Sequence, residues 1–139
     1  MNWKLILQLS LFGLAMGIAT VYVISSRIEP AFWLVIFLIC AYAIAKRTSA
    51  HFLHGLLLGI ANSIWITAAH VLLFNRYIAT HSQEAAAMQQ GPLAAHPRMM
   101  MLIVGPLIGV VSGLVIGLFA FIAGKLIKTP SVPESKATA

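Results

Sequence analysis

The sequence predicts an all-α, polytopic membrane protein: an antiparallel bundle of four transmembrane helices, with a short extra helix in the third connection. Three observations predict it. The 139 residues are 60% hydrophobic and only 9% charged, whereas soluble domains carry about 25% charged residues. The apolar residues gather in four long runs separated by polar connections. Glycine recurs at every fourth position of the last run, as it does in helices that pack closely within lipid.

The first span is expected at about 4–25. Its apolar core, Leu5 to Ile24, is twenty residues, longer than the roughly 7–15 residues of a secretory signal core, and no small-x-small cleavage site follows. It is therefore read as a retained helix. Ser25, Ser26, Arg27, Glu29 and Pro30 form a short polar connection. The second span is expected at 31–46. Its apolar run, 31–45, would measure only about 22 Å, short of a hydrocarbon core of about 30 Å, so it must draw on flanking residues. The third span is expected at 51–75 and the fourth at 99–127, with Pro106 in the first two turns of the latter. In the connection 76–98, Thr80-His81-Ser82-Gln83 has the form of a capping box ahead of EAAAMQQ, and Gly91-Pro92 is a stop signal. These signals predict a short helix of about ten residues. Residues 1–128 thus form one transmembrane domain, and 129–139, polar and proline-bearing, a disordered cytoplasmic tail.

Lys4, Lys46, Arg47, Lys125, Lys128 and Lys136 fall on one side of this arrangement, and Arg27, Arg76 and Arg98 on the other. Six against three places both termini in the cytoplasm and the 76–98 connection outside, in a multi-pass bacterial inner membrane protein. Trp3, Trp33 and Tyr77 fall where interfacial aromatics belong. The net charge of +6 does not point to nucleic acid, because the basic residues sit singly or in pairs at the ends of apolar runs.

Gly105, Gly109, Gly113 and Gly117 form a stripe on the fourth span. Gly55, Gly59, Ser63 and Thr67 form one on the third, and Gly13 and Gly17 a shorter one on the first. Glycine in a helix interior costs about 1 kcal/mol against alanine. In lipid that loss is offset where a neighbouring backbone can lie in the groove. The stripes therefore predict a glycine zipper within the chain, with contacts in a homo-oligomer or a substrate or lipid groove as the alternatives. On the third span, Asn62 and His70 share the small-residue sector with Thr67, while Leu53, Leu57, Ile60, Ile64 and Val71 face the other way. Asn62 is mid-membrane and needs hydrogen-bond partners; Ser63 and Gln8 are the candidates.

Chemistry is scarce. Aspartate is absent, and Glu29, Glu84 and Glu134 all fall in connections or the tail. This argues against a buried-acid transporter, paired-carboxylate hydrolysis and a Ser-His-Asp triad. Cys40 is the only cysteine, so CxxC sites are excluded. His81, Glu84, Met88, His96 and Met99 to Met101 fit no ligand spacing, so no metal and no catalytic residue are expected. No cofactor is expected either, since no second span carries a histidine to pair with His70 on a haem. The length, the basic turn AKRTSAHF, the third helix HGLLLGIANSIWI and the glycine-rich last helix resemble a family of small bacterial four-helix membrane proteins of unknown function. That resemblance implies the four-helix fold and no activity. The expectation is a non-enzymatic interaction or accessory subunit, its partners the bilayer and either a second copy or another membrane protein. A small oligomeric transporter or channel is the alternative, lined by Asn62, Thr67 and His70. A haem- or metal-binding protein is the second alternative.

Overall fold

The computed structural model describes residues 1–127. The tail expected at 129–139 lies outside the described residues. Among those described, the chain forms six α-helices and no strand: α1 (Trp3–Tyr22), α2 (Glu29–Arg47), α3 (His51–Leu72), α4 (Phe74–Thr80), α5 (Ser82–Gln90) and α6 (Pro97–Leu126). Helices α1, α2, α3 and α6 are long and apolar enough to cross a membrane.

Local chemistry sets the ends. The Asn2 side chain caps α1 by accepting from the Leu5 N–H at 3.1 Å. At the other end, the Val23 and Ile24 N–H groups both bond the Ala19 carbonyl, closing α1 before the expected residue 25. Helix α2 meets its length deficit by starting two residues early. Glu29 and Pro30 occupy its first positions, where a missing N–H is harmless and a carboxylate suits the helix dipole. Nineteen residues then span about 28 Å. The expectation that every carboxylate lies outside the spans is thereby corrected, because Glu29 opens one.

Three further expectations change. The third span ends at Leu72 rather than 75, and its chain continues after a break at Leu73 as a separate helix, α4, so the third connection holds two short helices. Thr80 does not cap α5. It is the last residue of α4, its hydroxyl turned back to donate to the Tyr77 carbonyl at 3.0 Å, and His81 takes the cap position. Helix α6 begins at Pro97, so Pro106 is its tenth residue and lies beyond the first two turns. The Leu102 carbonyl loses its helical donor there.

The core is built on α3. Along α3 and α6, residue numbers rise on one helix as they fall on the other: Gly55 meets Gly117, Gly59 meets Gly113, Ser63 meets Gly109 and Thr67 meets Gly105. A Cβ added at Gly113 would fall 2.5 Å from the Leu56 carbonyl oxygen. On an adjacent face α3 carries α1, where a Cβ on Gly13 would fall 2.7 Å from the Asn62 Cα and one on Gly17 3.1 Å from the Ile66 Cα. Helix α2 rests mainly on α6, and its buried Ile36, Cys40, Ala41 and Ile44 join Leu58, Ile116 and Ala120 in one apolar cluster. Leu7, Leu38, Leu107 and Val111 point outward, as lipid-facing side chains do.

Gly113→Leu is expected to destabilise the detergent-solubilised protein by about 1–3 kcal/mol or more, since backbone stands in the way. Gly91→Ala, which meets only the flexible Met100 side chain at 3.2 Å, should be nearly neutral. Thermal unfolding of both variants checks the contrast.

Candidate functional site

The tight α3–α6 pair does not fill the whole interior. A half-open cavity of about 660 Å³ lies between α2, α3 and α6, with α4 and α5 at one end, and its lining includes the exposed Leu34 and Ile108. From α3 come Gly59, Asn62, Ser63, Ile66, Thr67 and His70, one face repeating every three or four residues. From α6 come Met101, Gly105, Gly109, Ser112 and Phe119, and from α2 Glu29, Trp33 and Phe37. Tyr77, Glu84 and Met88 of the connection also line it. The volume falls within the range of about 300–1,000 Å³ typical of small-molecule sites.

Asn62 is the most buried polar side chain of the cavity lining. It is 3% exposed, and neither its amide nitrogen nor its oxygen has a partner. Neither expected partner serves it. Ser63 donates to the Ile60 carbonyl at 2.8 Å, and Gln8 is exposed on α1. A buried amide without partners costs about 1–3 kcal/mol.

The end of the cavity near the 76–98 connection is polar. Trp33 donates its indole N–H to Glu29 at 3.0 Å. One carboxylate oxygen of Glu84 is buried without a partner. Tyr77 is stacked between His70 and His81, with ring centroids 4.1 and 4.3 Å away. Burial first, then the negative charges of Glu84 and Glu29, push the Tyr77 phenol above its ordinary pKa. Arg98 lies over the Phe74 ring and Arg76 over the Tyr22 ring.

His70 Nε2 lies 2.8 Å from the Thr20 hydroxyl of α1. That hydroxyl donates to the Met16 carbonyl at 2.8 Å, so the imidazole is the donor to Thr20. Thr20 is 1% exposed. A hydroxyl that already gives its proton to a carbonyl and is shut away from solvent is not an activated nucleophile. His54 is equally committed, accepting from the Asn2 N–H at 2.9 Å while Nδ1 donates to the Ala50 carbonyl at 2.8 Å. Tyr77 keeps His70 and His81 apart, and among the described residues no group of three or more His, Cys, Asp or Glu is placed to hold a metal.

Of the residues singled out from sequence, Asn62, Thr67 and His70 line the cavity together with Gly59, Ser63, Gly105 and Gly109. Gly13, Gly17, Gly55, Gly113 and Gly117 lie in helix contacts instead. Trp33 and Tyr77, read from sequence as interfacial aromatics, also line the cavity, Tyr77 being 7% exposed. Ser112, Trp33 and Glu29 were missed as site residues, and Glu84 was considered only for metal. One signal was present: positions 70, 77 and 81 share a helical stripe, with offsets of seven and four. No protein-family model, no curated protein and no solved structure matches this chain.

Two outcomes follow. Asn62→Leu is expected to raise thermal stability by about 1 kcal/mol or more, because it removes unpartnered polar atoms at similar volume. In an alkaline titration read at the phenolate band, the Tyr77 contribution, obtained by subtracting the Tyr77→Phe variant, should be missing at the pH where free tyrosine, about 10, is half ionised. The fold favours the neutral phenol, so this group's contribution to stability is intact below that pH and is lost as pH rises beyond it.

Proposed function

We infer that the chain is a non-enzymatic, multi-pass membrane protein that binds a small, largely apolar molecule within the bilayer. It is read as an antiparallel four-helix bundle held by a glycine zipper between α3 and α6, with both termini cytoplasmic and the 76–98 connection outside. The orientation rests on the six-against-three placement of lysine and arginine. One observation carries the functional reading: the cavity that reaches Asn62 and His70. A subunit serving only to pack against partners has no use for an unpartnered amide facing Gly13 beside open space. A binding protein does, because the amide supplies orientation where the walls supply only burial. Binding therefore displaces the accessory-subunit expectation as the leading reading.

A test uses Trp33 as a reporter in the wall. With Trp3 and Trp65 replaced by phenylalanine, the protein in lipid nanodiscs is titrated with 11-bromoundecanol, whose bromine quenches tryptophan on contact. Saturable quenching, reduced at least about fivefold in affinity by the cavity-filling Ser112→Phe substitution, is the expected result. Quenching that rises linearly without saturation, and equally in both proteins, reflects partition into lipid and would sink the reading.

A further inference from the structure

The polar end of the cavity has a sign. The chain carries nine lysine and arginine residues against three glutamates, yet two of those glutamates, Glu29 from α2 and Glu84 from α5, line the same cavity. The third, Glu134, lies outside the described residues. Elements far apart in sequence have brought two scarce carboxylates to one place. Both also act on Tyr77, which lines the cavity with them and whose phenol is held neutral.

Neither carboxylate is fully used. Glu29 accepts one hydrogen bond, from the Trp33 indole. Glu84 leaves an oxygen buried and without a donor. Of the three arginines of this end, Arg76 and Arg98 lie over the rings of Tyr22 and Phe74, and Arg27 is exposed and outside the cavity lining. The remaining wall at this end is aromatic and thioether: Trp33, His70, Tyr77, Met88, Met100 and Met101. Aromatic faces attract a cation, more strongly as it is desolvated, and methionine sulfur is polarisable. An anion would meet two like charges in surroundings of low dielectric. Below this end the cavity turns apolar, broken by the unpartnered, almost wholly buried Asn62.

We propose that the ligand is an amphiphile with a single organic ammonium head, seated between Glu29 and Glu84 against the indole of Trp33, with its apolar body running towards Asn62. This rests on the binding reading above and deepens it by naming the ligand's charge and shape. The acids supply the sign, the rings exclude a strongly hydrated metal ion in favour of a soft cation, and the apolar remainder requires a body of hydrocarbon.

The same single-tryptophan protein, in phosphatidylglycerol nanodiscs, separates the two claims. Two probes share one chain: 11-bromoundecanol and 11-bromoundecyltrimethylammonium. The ammonium probe should quench Trp33 with a Kd about tenfold below that of the alcohol, after correction for partition measured in empty nanodiscs. Glu84→Gln, a conservative change on a helix with no buried residues, should cut that preference to about threefold or less, and Glu29→Gln with Glu84→Gln should abolish it. An alcohol that saturates while the ammonium probe gains nothing overturns this proposal and leaves the binding reading standing. So does a preference that survives both substitutions. If neither probe saturates, both fall. Adding phosphatidylethanolamine to the nanodiscs then distinguishes sources: a rise in the probe's Kd assigns the ammonium head to a lipid, and an unchanged Kd assigns it to a free amine.

Discussion

Backbone meets backbone along α3 and α6, and the remaining helices are placed by what that contact leaves over. The hydrocarbon of a bilayer offers helices no reward for hiding leucine, so their association depends on close approach and on hydrogen bonds. Gly55 on Gly117 and Gly59 on Gly113 remove every side chain from the line of contact. Ser63 and Thr67 continue it against Gly109 and Gly105 with small hydroxyl side chains whose atoms occupy the space a Cβ would need. The Ser63 hydroxyl satisfies itself on its own helix, so the seam carries no demand for a partner there. Helix α1 attaches to an adjacent face of α3 through Gly13 and Gly17 by the same means.

Helix α2 has no such stripe, and the cavity follows from that. Its half near Arg47 presents Cys40, Ala41 and Ile44, all within 3% of complete burial, and packs shut against Ile116 and Ala120. Its half near Glu29 presents Trp33 and Phe37, which are only partly buried. Large rings there hold α2 off the α3–α6 seam, where small residues offer nothing to fill the gap. A cavity is thus the consequence of pairing a bulky face with a face of glycine, serine and threonine. Empty space beside a buried amide is costly twice over, through lost dispersion contacts and through unmade hydrogen bonds. A fold that carries both costs at one place is set up to have them relieved by something that enters.

The four spans were legible because burial in lipid needs only length and hydrophobicity, properties of one run at a time. The seam was legible for a related reason. Glycines four apart define a face on a single helix, and α3 and α6 each display one. The cavity was not legible, because it belongs to no single element: Trp33 matters only once α2 lies across from Gly105 and Gly109. Glu29 was read as a loop residue because the span was drawn from its first apolar residue, although a helix start accommodates Glu-Pro well. The His70–Tyr77–His81 stripe was hidden by treating the segment after 75 as connection, which detached Tyr77 from the helical register that continues almost unbroken into α4. Asn62 was placed on the correct face of its helix, but its environment was not foreseen, since that depended on Gln8 turning outward and Ser63 turning to its own backbone.

Seam and site are one stripe seen from two sides. Gly59, Ser63, Thr67, Gly105 and Gly109 each touch the opposing helix and also line the cavity. Any substitution among them changes packing and pocket together, so loss of binding there would say nothing about recognition. The same coupling explains how a short chain can carry both features. Residues small enough to let two helices touch are also too small to block the space beside them, and the hydroxyls among them dot an otherwise apolar wall. In the proposed binding reading, recognition would come from side chains contributed by the looser elements: Trp33 and Glu29 from α2, and Glu84 from α5, none of which takes part in the seam. The rigid pair supplies shape and the peripheral helices supply charge and aromatic surface, so affinity can change at α2 and α5 without disturbing the contact that holds the spans together.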